Sequence, residues 1–185
     1  RENYPPFAWR SAMNFLGTHD TPRILTLLGA EEGCEHQSKE WRSNYRLGPD
    51  QRRRAKELLK LGAALMFAFP GSPTVYYGDE AGMEGFEDPF NRRTFPWGRE
   101  DRTLTEGYRL LGRLRQERPS LLWGDIEYLR AQGHCLVWAR QGTGELTVTA
   151  VNAGDEPVAL ELPWEGAVAE DLLTGQRFLN QDGKV

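Results

Sequence analysis

The chain has 185 residues, of which 39% are hydrophobic and 27% charged, with a net charge of −4; these values fit a globular protein of one large or two small domains. They argue against nucleic-acid binding, because the one basic cluster, residues 52–54, falls within a helical pattern where we expect a solvated face. They also argue against a transmembrane helix, because the sequence contains no run of about 18 apolar residues.

Two cysteines, Cys34 and Cys135, stand far apart in the sequence and form no metal-type pair. We expect free thiols in a reducing compartment, and therefore a cytoplasmic protein, with a disulfide between them as the alternative. The chain begins at Arg1 rather than at a methionine. We interpret it as a piece of a longer polypeptide, in which any targeting signal would lie upstream.

The first half of the chain is predicted to contain two strands, each followed by a helix. An apolar run predicts a strand over residues 8–17. Pro22 then stands where a first helical turn can begin, and the apolar residues after it predict a short helix over residues 24–28. Residues 29–48 are polar and are expected to be irregular.

A longer helix and a second strand follow. Apolar residues at helical spacing predict a helix over residues 49–69, which the Pro-Gly pair at 70–71 ends. β-Branched and aromatic residues at 74–77 predict a second buried strand. The segment 78–102 is a long loop rich in Gly, Asp, Pro and Arg, and loops of that length in compact proteins are usually functional or disordered.

The last part of the chain has a different pattern. Thr103 and Glu106 form a capping box, which predicts the start of another helix. After Pro119, apolar and polar residues alternate between turn-rich stretches, which predicts an antiparallel β-module. Its strands are predicted over residues 127–130, 136–139, 145–151, 158–162 and 169–173.

The order of these elements predicts two β/α units of a parallel sheet, too few to close a barrel, followed by an all-β domain. Active sites of parallel sheets lie at the carboxyl ends of the strands, so polar residues after both strands should share one rim. His19 and Asp20 follow the first strand. Charged residues that could bind a polyhydroxylated ligand follow the second: Asp79, Glu80, Glu84, Glu87, Asp88, Arg92 and Arg93. Aromatic rings that could face a sugar lie beside them: Phe86, Phe90, Phe95 and Trp97.

Each of these features also has a simpler interpretation. A pair such as His19 and Asp20 at a strand end is often only a turn or a helix cap. Glu80 could pair with an arginine to hold the loop, and residues 88–93 could form a surface turn whose ion pairs add little stability. No metal site is predicted, because His19 and Asp20 are too few ligands and residues 34–36 lack a second pair at zinc spacing.

Three motifs in order resemble the α-amylase family of glycoside hydrolases. N-F-L-G-T-H-D-T at residues 14–21 resembles the end of barrel strand seven, and G-S-P-T-V-Y-Y-G-D-E-A-G-M-E-G at 71–85 resembles strand eight and the following loop. D-P-F-N-R-R-T-F-P-W at 88–97 resembles the branch of neopullulanases, cyclomaltodextrinases and maltogenic amylases. The resemblance implies an α/β plus all-β fold. Residues 1–118 would be the last two β/α units of a (β/α)8 TIM barrel, and residues 119–185 a C-terminal antiparallel β-sandwich domain.

The resemblance also implies roles for individual residues. Asp20 matches the third catalytic carboxylate, which stabilises the transition state, and His19 matches a histidine that binds hydroxyls of the same sugar. Asp88 and Arg92 match a pair that binds the next sugar on the non-reducing side, and Glu80 matches a structural glutamate. Such auxiliary groups suit an oxocarbenium-like transition state, in which hydrogen bonds to the sugar strengthen.

The catalytic site that the resemblance implies is incomplete. In the family, the nucleophilic aspartate and the acid/base glutamate lie on barrel strands four and five, which precede this stretch. We therefore expect the chain to be the C-terminal part of an α-glucan hydrolase or transglycosylase and to be inactive alone. The alternatives are a non-catalytic carbohydrate-binding or scaffold module of the same origin, and a self-contained small α/β domain.

The expected partners are α-glucan oligosaccharides or cyclodextrins and the rest of the same polypeptide, with no nucleic acid and no membrane. No cofactor is predicted in this chain; calcium, which some family members use, would bind largely upstream. Homo-oligomerisation stays open, because dimerisation is common in the neopullulanase branch but uses an N-terminal domain that is not in this chain. Open sheet edges lead us to expect association of the isolated chain.

Overall fold

A computed structural model describes residues 3–160, 166 and 168–179. The chain forms two compact units, one up to Arg113 and one from Leu114 onward. Within the described residues, no helix combines the length and the apolar character needed to cross a bilayer.

The first unit contains short helices, one long helix and two strands. Its helices are α1 (Pro6–Arg10), α2 (Ile24–Gly29), α3 (Lys39–Asn44), α4 (Pro49–Ala68) and the beginning of α5 (Arg102–Glu117), with single 3-10 turns at Cys34–His36 and Phe90–Arg92. Strands β1 (Met13–Phe15) and β2 (Ser72–Thr74) pair in parallel, with Met13 opposite Ser72. The predicted parallel pairing and the long helix are therefore confirmed.

Both strands of the first unit are shorter than predicted. The expected strand over residues 8–17 is wrong in its first part, because the proline at position 6 opens a helical turn that forms α1. The expected strand over 74–77 ends at Thr74, and Gly78 then adopts a left-handed φ of 90°. The carbonyl of Tyr77 accepts a hydrogen bond from the Arg23 side chain. At this point a side chain therefore supplies the hydrogen bond that a neighbouring strand would otherwise supply.

The core of the first unit lies where α4 packs on α2. Leu25 of α2 and Leu59 of α4 are fully buried, together with Leu104 at the start of α5. Burying a leucine contributes about 1.5–3 kcal/mol, so this cluster holds the segments before and after β2 together. Within the expected irregular stretch 29–48 the structure adds α3, because Ser38 accepts a hydrogen bond from the Trp41 amide and caps that helix.

The start of α5 depends on Asp101 rather than on the predicted capping box. The Asp101 carboxylate accepts hydrogen bonds from the Leu104 amide at 3.3 Å and the Thr103 hydroxyl at 2.8 Å, and it lies 2.8 Å from Lys56 Nζ. Burial alone would raise the pKa of Asp101, but these donors and Lys56 lower it to about 2. The prediction of a capping box between Thr103 and Glu106 was wrong, because Asp101, two residues before Thr103, caps the helix.

Among its described residues, the second unit contains a short helix and two antiparallel sheets. Its elements are α6 (Pro119–Trp123), the three-stranded sheet β3 (Asp125–Gln132), β4 (Cys135–Gly142) and β5 (Glu145–Asn152), and the pair β6 (Val168–Glu170) and β7 (Arg177–Leu179). Trp138 and Val137 of β4 are almost completely buried. The first three predicted strands are confirmed and longer than expected.

The two weaker strand predictions in this unit have mixed outcomes. Of the stretch 158–162, residues 158–160 form no strand, and 161–162 lie outside the described residues. The stretch predicted over 169–173 is a strand only to Glu170. A turn follows, because the Asp171 carboxylate accepts hydrogen bonds from the Leu173 amide and the Thr174 hydroxyl.

The parallel sheet exposes large apolar side chains. Met13 and Phe15 of β1 are 63% and 52% exposed, and Val75 and Tyr77, just after β2, are also exposed. Parallel sheets are normally covered on both faces, so exposed apolar side chains on this sheet indicate a surface prone to association.

We expect the 185-residue chain to self-associate at micromolar concentration through this sheet. Replacing Met13 and Phe15 by threonine should lower the mass measured by light scattering, because threonine keeps strand propensity and removes apolar surface. Leu58→Thr, which removes an exposed side chain on α4, is the matched control and should change the mass little. A monodisperse wild-type monomer would contradict the prediction.

Candidate functional site

The loops after β1 and β2 meet at Arg92. Its Nε lies 3.4 Å from Asp88 Oδ1 and donates a hydrogen bond of 3.1 Å to the carbonyl of His19, while its Nη2 lies 3.8 Å from Asp20 Oδ1. His19 Nε2 lies 3.3 Å from the same Asp20 oxygen. The four residues predicted to bind or stabilise a sugar therefore form one cluster.

The side chains of this cluster face solvent. Their exposed fractions run from 44% for Arg92 to 72% for Asp20. Ion pairs at such exposure add about 0–1 kcal/mol to stability, so the cluster contributes little to holding the fold. It presents two carboxylates, an imidazole and a guanidinium to solvent, a set that can donate to and accept from sugar hydroxyls.

A hydroxyl-bonded turn carries His19 and Asp20. The Thr18 amide donates to Thr21 Oγ1 at 3.3 Å, and the Asp20 amide donates to Thr18 Oγ1 at 3.2 Å. Threonine hydroxyls commonly close such turns. The simpler interpretation of the His19-Asp20 pair as a turn is therefore correct as local structure, and the same turn presents both side chains to solvent.

A buried ion pair lies behind the turn. Arg23 Nη1 lies 3.1 Å from Asp79 Oδ1, and both side chains are at most 3% exposed. Arg23 also donates to the Tyr77 carbonyl, its amide donates to the Gly85 carbonyl at 2.8 Å, and its guanidinium carbon lies 4.2 Å from the centre of the Tyr76 ring. Arg23, which follows the turn after β1, therefore holds both the beginning and the middle of the loop after β2.

The acidic residue that pairs with an arginine and holds the loop is Asp79, one residue before Glu80, for which this role was predicted. Glu80 accepts a hydrogen bond from the Gly78 amide at 2.8 Å, whereas Asp79 pairs with the arginine. Burial raises the pKa of Asp79 to about 6, although Arg23 opposes this shift. Gly17 packs directly on this carboxylate, since a Cβ at position 17 would stand 2.3 Å from Asp79 Oδ2.

With this geometry established, comparison with known proteins identifies the family. The family model described as "Alpha amylase, catalytic domain" matches residues 6–127. The chain belongs to the α-amylase family.

Characterised α-amylase relatives match nearly the whole chain at moderate identity. The amylopullulanase of Thermoanaerobacter thermohydrosulfuricus is 36% identical over 199 aligned positions, covering 100% of this chain and 13% of that protein. The cyclomaltodextrinase of Geobacillus thermopakistaniensis is 32% identical and aligns with 95% of this chain and 27% of its own length. The predicted resemblance to the neopullulanase, cyclomaltodextrinase and maltogenic amylase branch is confirmed, and the chain spans about an eighth to a quarter of these relatives.

Solved α-amylase-family structures agree. An Anoxybacillus α-amylase superposes with a TM-score of 0.70 at 32% identity, over 94% of this chain and 34% of that one. The debranching enzyme of Nostoc punctiforme, in a crystal soaked with acarbose, gives a TM-score of 0.63 at 30% identity, over 82% of this chain and 26% of its own. The family's catalytic-domain fold is therefore shown for this chain.

Ion pairs with α4 hold the long loop of this α-amylase-family chain in place. The Glu84 carboxylate is 7% exposed, pairs with Arg52 and accepts a hydrogen bond from the Leu47 amide at 2.9 Å. Arg52 also lies 3.5 Å from Asp101. The expectation of a solvated face at residues 52–54 is therefore wrong for Arg52, because buried loop carboxylates lie against that side of α4.

The loop contains one buried polar residue that sequence reasoning missed. Asn91 is fully buried, and its Nδ2 donates hydrogen bonds of 2.8 Å to the carbonyls of both His19 and Thr21. An asparagine in a turn-rich loop is usually a turn residue. Its position in D-P-F-N-R-R, just before Arg92, was the one signal in the sequence.

The aromatic residues separate into buried and exposed groups. Phe86 is 3% exposed and packs against Tyr45 at 5.4 Å between ring centres, so it cannot face a sugar as expected. Trp97 is 80% exposed, and its ring lies 4.6 Å from that of Phe95. These two rings line a cleft of about 720 Å³ together with Glu80.

Among the described residues, no three His, Cys, Asp or Glu side chains are grouped to hold a metal ion. Cys34 and Cys135 are free thiols, as predicted.

We expect Asp79 to give the first unit a pH-dependent stability. Its pKa in the folded chain, about 6, is higher than the ordinary value of about 3.9, so the folded chain binds this proton more tightly than the unfolded chain. The stabilisation is complete below the ordinary pKa and is lost as the pH rises through about 6. The unfolding free energy should therefore fall by about 1–3 kcal/mol more than in Asp79→Asn over that interval.

Urea unfolding in the Met13→Thr, Phe15→Thr background would measure this difference. Asp50→Asn is the matched control, because it makes the same chemical change at a side chain that is 93% exposed. Equal slopes in the parent and in Asp79→Asn would contradict the assignment.

Proposed function

We propose that this chain supplies one part of the active site of an α-glucan-acting glycoside hydrolase, which cleaves or transfers α-glucosidic bonds with retention. The observation that carries the proposal is the position of Arg92, which touches Asp88 in its own loop and both His19 and Asp20 in the other. Two loops that follow neighbouring parallel strands thus present convergent polar groups to one ligand.

Asp20 is assigned as the carboxylate that stabilises the transition state. As the glycosidic bond breaks, positive charge develops on the sugar ring, and a fixed negative charge nearby lowers the energy of that state. Asp20 also accepts hydrogen bonds from hydroxyls of the same sugar, and His19 donates to them. The His19 imidazole lies 3.3 Å from the Asp20 carboxylate, so both side chains can bind hydroxyls of one sugar.

Asp88 and Arg92 are assigned to the neighbouring sugar on the non-reducing side. Arg92 carries donors in a planar fork and Asp88 carries only acceptors when ionised, so together they can bind adjacent hydroxyls of a sugar. Their contact at 3.4 Å orients both groups before a ligand arrives. Binding energy from this sugar can then assist the chemistry at the next one.

The remaining parts of the proposal concern the architecture of this chain and the catalytic residues upstream of it. Residues 1–118 form the last two β/α units of a TIM barrel, and residues 119–185 form a C-terminal β-sandwich domain. The nucleophilic aspartate and the acid/base glutamate belong to upstream strands of the same polypeptide. Support comes from the small share of the relatives that this chain spans and from the names of those relatives, which include amylopullulanase and cyclomaltodextrinase. We infer α-glucan oligosaccharides or cyclodextrins as substrates.

Asp20→Asn in the full-length polypeptide that carries this chain should lower kcat on maltotetraose by about 10²–10³-fold with a smaller change in KM. Asp88→Ala should instead mainly raise KM, because Asp88 binds a sugar that does not react. Asp50→Asn, an exposed aspartate away from the cluster, is the control and should leave both constants unchanged. Equal kcat values for Asp20→Asn and the control would contradict the assignment.

The 185-residue chain alone should show no turnover of maltotetraose or of β-cyclodextrin above background, since it holds only the auxiliary carboxylate. Turnover by the purified chain would overturn the placement of the nucleophile upstream. The upstream coding sequence separates the two function classes. Both catalytic carboxylates there support the enzyme, whereas substitutions at those positions support a carbohydrate-binding or scaffold module.

A further inference from the structure

Asn91 lies beneath the exposed cluster and faces the turn that carries Asp20. Its side chain is fully buried, although His19 and Asp20 in the turn and Arg92 next to it in the sequence are exposed. Both protons of its amide are used, one on the carbonyl of His19 and one on the carbonyl of Thr21, each at 2.8 Å. The first carbonyl belongs to the peptide group between His19 and Asp20 and the second to the peptide group between Thr21 and Pro22, so the two bonds hold the turn on both sides of Asp20.

The orientation of the Asn91 amide follows from these donors alone. Its Oδ1 is buried and accepts no hydrogen bond from the residues that the structure describes. Turning the amide over would place that oxygen against two carbonyl oxygens, which repel it. The side chain therefore acts as a two-pronged donor to the turn.

The Asp20 carboxylate has no comparable support of its own. It is 72% exposed, and its contacts with His19 at 3.3 Å and Arg92 at 3.8 Å are weak pairs in water. Its direction is therefore set mainly by the backbone of the turn. Arg92 adds a further bond to the His19 carbonyl at 3.1 Å, so consecutive residues of the second loop converge on the same peptide group.

We propose that Asn91 is a positioning residue for Asp20. It transmits the position of the second loop to the turn of the first and holds the carboxylate where the transition state needs it. This inference rests on the proposed function for its catalytic meaning, while the hold on the turn itself can be tested independently. A misplacement of about 1 Å is enough to cost about 100-fold in rate.

Asn91→Asp is the sharpest variant, because it keeps the shape of the side chain and replaces the donor by an oxygen. An ionised carboxylate repels both carbonyls, whereas a protonated one can still donate to one of them. Burial raises the pKa of such a carboxyl, so the variant should recover partly between about pH 8 and about pH 5. The neighbouring groups, His19, Asp20, Asp88 and Arg92, also titrate or carry charge, but they are the same in the wild type.

The test compares kcat and KM of the full-length polypeptide on maltotetraose in the wild type, Asn91→Asp and Asn44→Asp. The control makes the same chemical change at a residue whose amide donates to a carbonyl of its own helix. We expect kcat of Asn91→Asp, relative to the wild type, to fall about 10- to 100-fold at high pH and to recover partly at low pH. KM should change less. Rates that follow those of Asn44→Asp at both pH values would overturn the proposal.

Hydrogen exchange read by mass spectrometry provides the structural arm. The amides of residues 18–21 should exchange faster in Asn91→Asp than in Asn44→Asp, because the turn loses its support. If Asn91→Asp fails to fold, Asn91→Ala carries the same comparison, and unchanged exchange at residues 18–21 overturns the proposal. If the wild type hydrolyses nothing and Asp20→Asn has no effect, the proposed function fails, whereas the exchange comparison still decides whether Asn91 holds the turn.

Discussion

The buried pair of Arg23 and Asp79 is the interaction that joins the two loops of the site. Arg23 directly precedes α2, and Asp79 lies in the long loop after β2, so the pair sets the distance between two stretches that are far apart in the sequence. Burying two charges costs free energy that their attraction does not always repay, and additional hydrogen bonds decide the balance. Arg23 donates a hydrogen bond to the Tyr77 carbonyl and lies against the rings of Tyr76 and Tyr77, while burial raises the pKa of Asp79. We interpret the pair as a means of specifying one loop geometry.

Gly17 completes this arrangement from the side of the first loop. The Asp79 carboxylate occupies the space that a side chain at position 17 would need, so the two loops touch through backbone and carboxylate. The contact brings the turn at residues 18–21 to the second loop, where Asn91 binds its carbonyls. Buried polar contacts with fixed geometry thus support the two loops from inside the first unit. The exposed groups at its surface are free to bind a ligand. A site is held accurately when the residues beneath it are locked in this way.

The sequence allowed the exposed layer of the site to be predicted, but not the buried one. His19 and Asp20 were predictable because they follow an apolar run, and the carboxyl ends of parallel strands share one edge. Asp88 and Arg92 were singled out because their motif resembles that of the α-amylase family. Arg23 and Asn91 carry no such signal, because an arginine before a short helix and an asparagine in a loop look like ordinary surface residues. Phe86 was misplaced for the opposite reason, since its aromatic character fits a sugar-facing ring and a buried ring equally well. Strand ends were also missed where a side chain took a backbone hydrogen bond, as Arg23 does at Tyr77.

The high exposure of Asp20 limits what it can do with the groups present in this chain. Two unit charges 4 Å apart interact by about 1 kcal/mol in water but by about 4 kcal/mol at an effective dielectric constant of about 20. A carboxylate that is 72% exposed lies near the first limit. To stabilise a developing charge it needs a wall that excludes water from the sugar-facing side, and the loops at residues 17–23 and 77–92 form only one side of such a site. The exposure of the cluster is therefore consistent with the proposed role of Asp20, in which upstream parts of the polypeptide would supply the nucleophile, the acid/base and the low-dielectric surroundings that make this carboxylate effective.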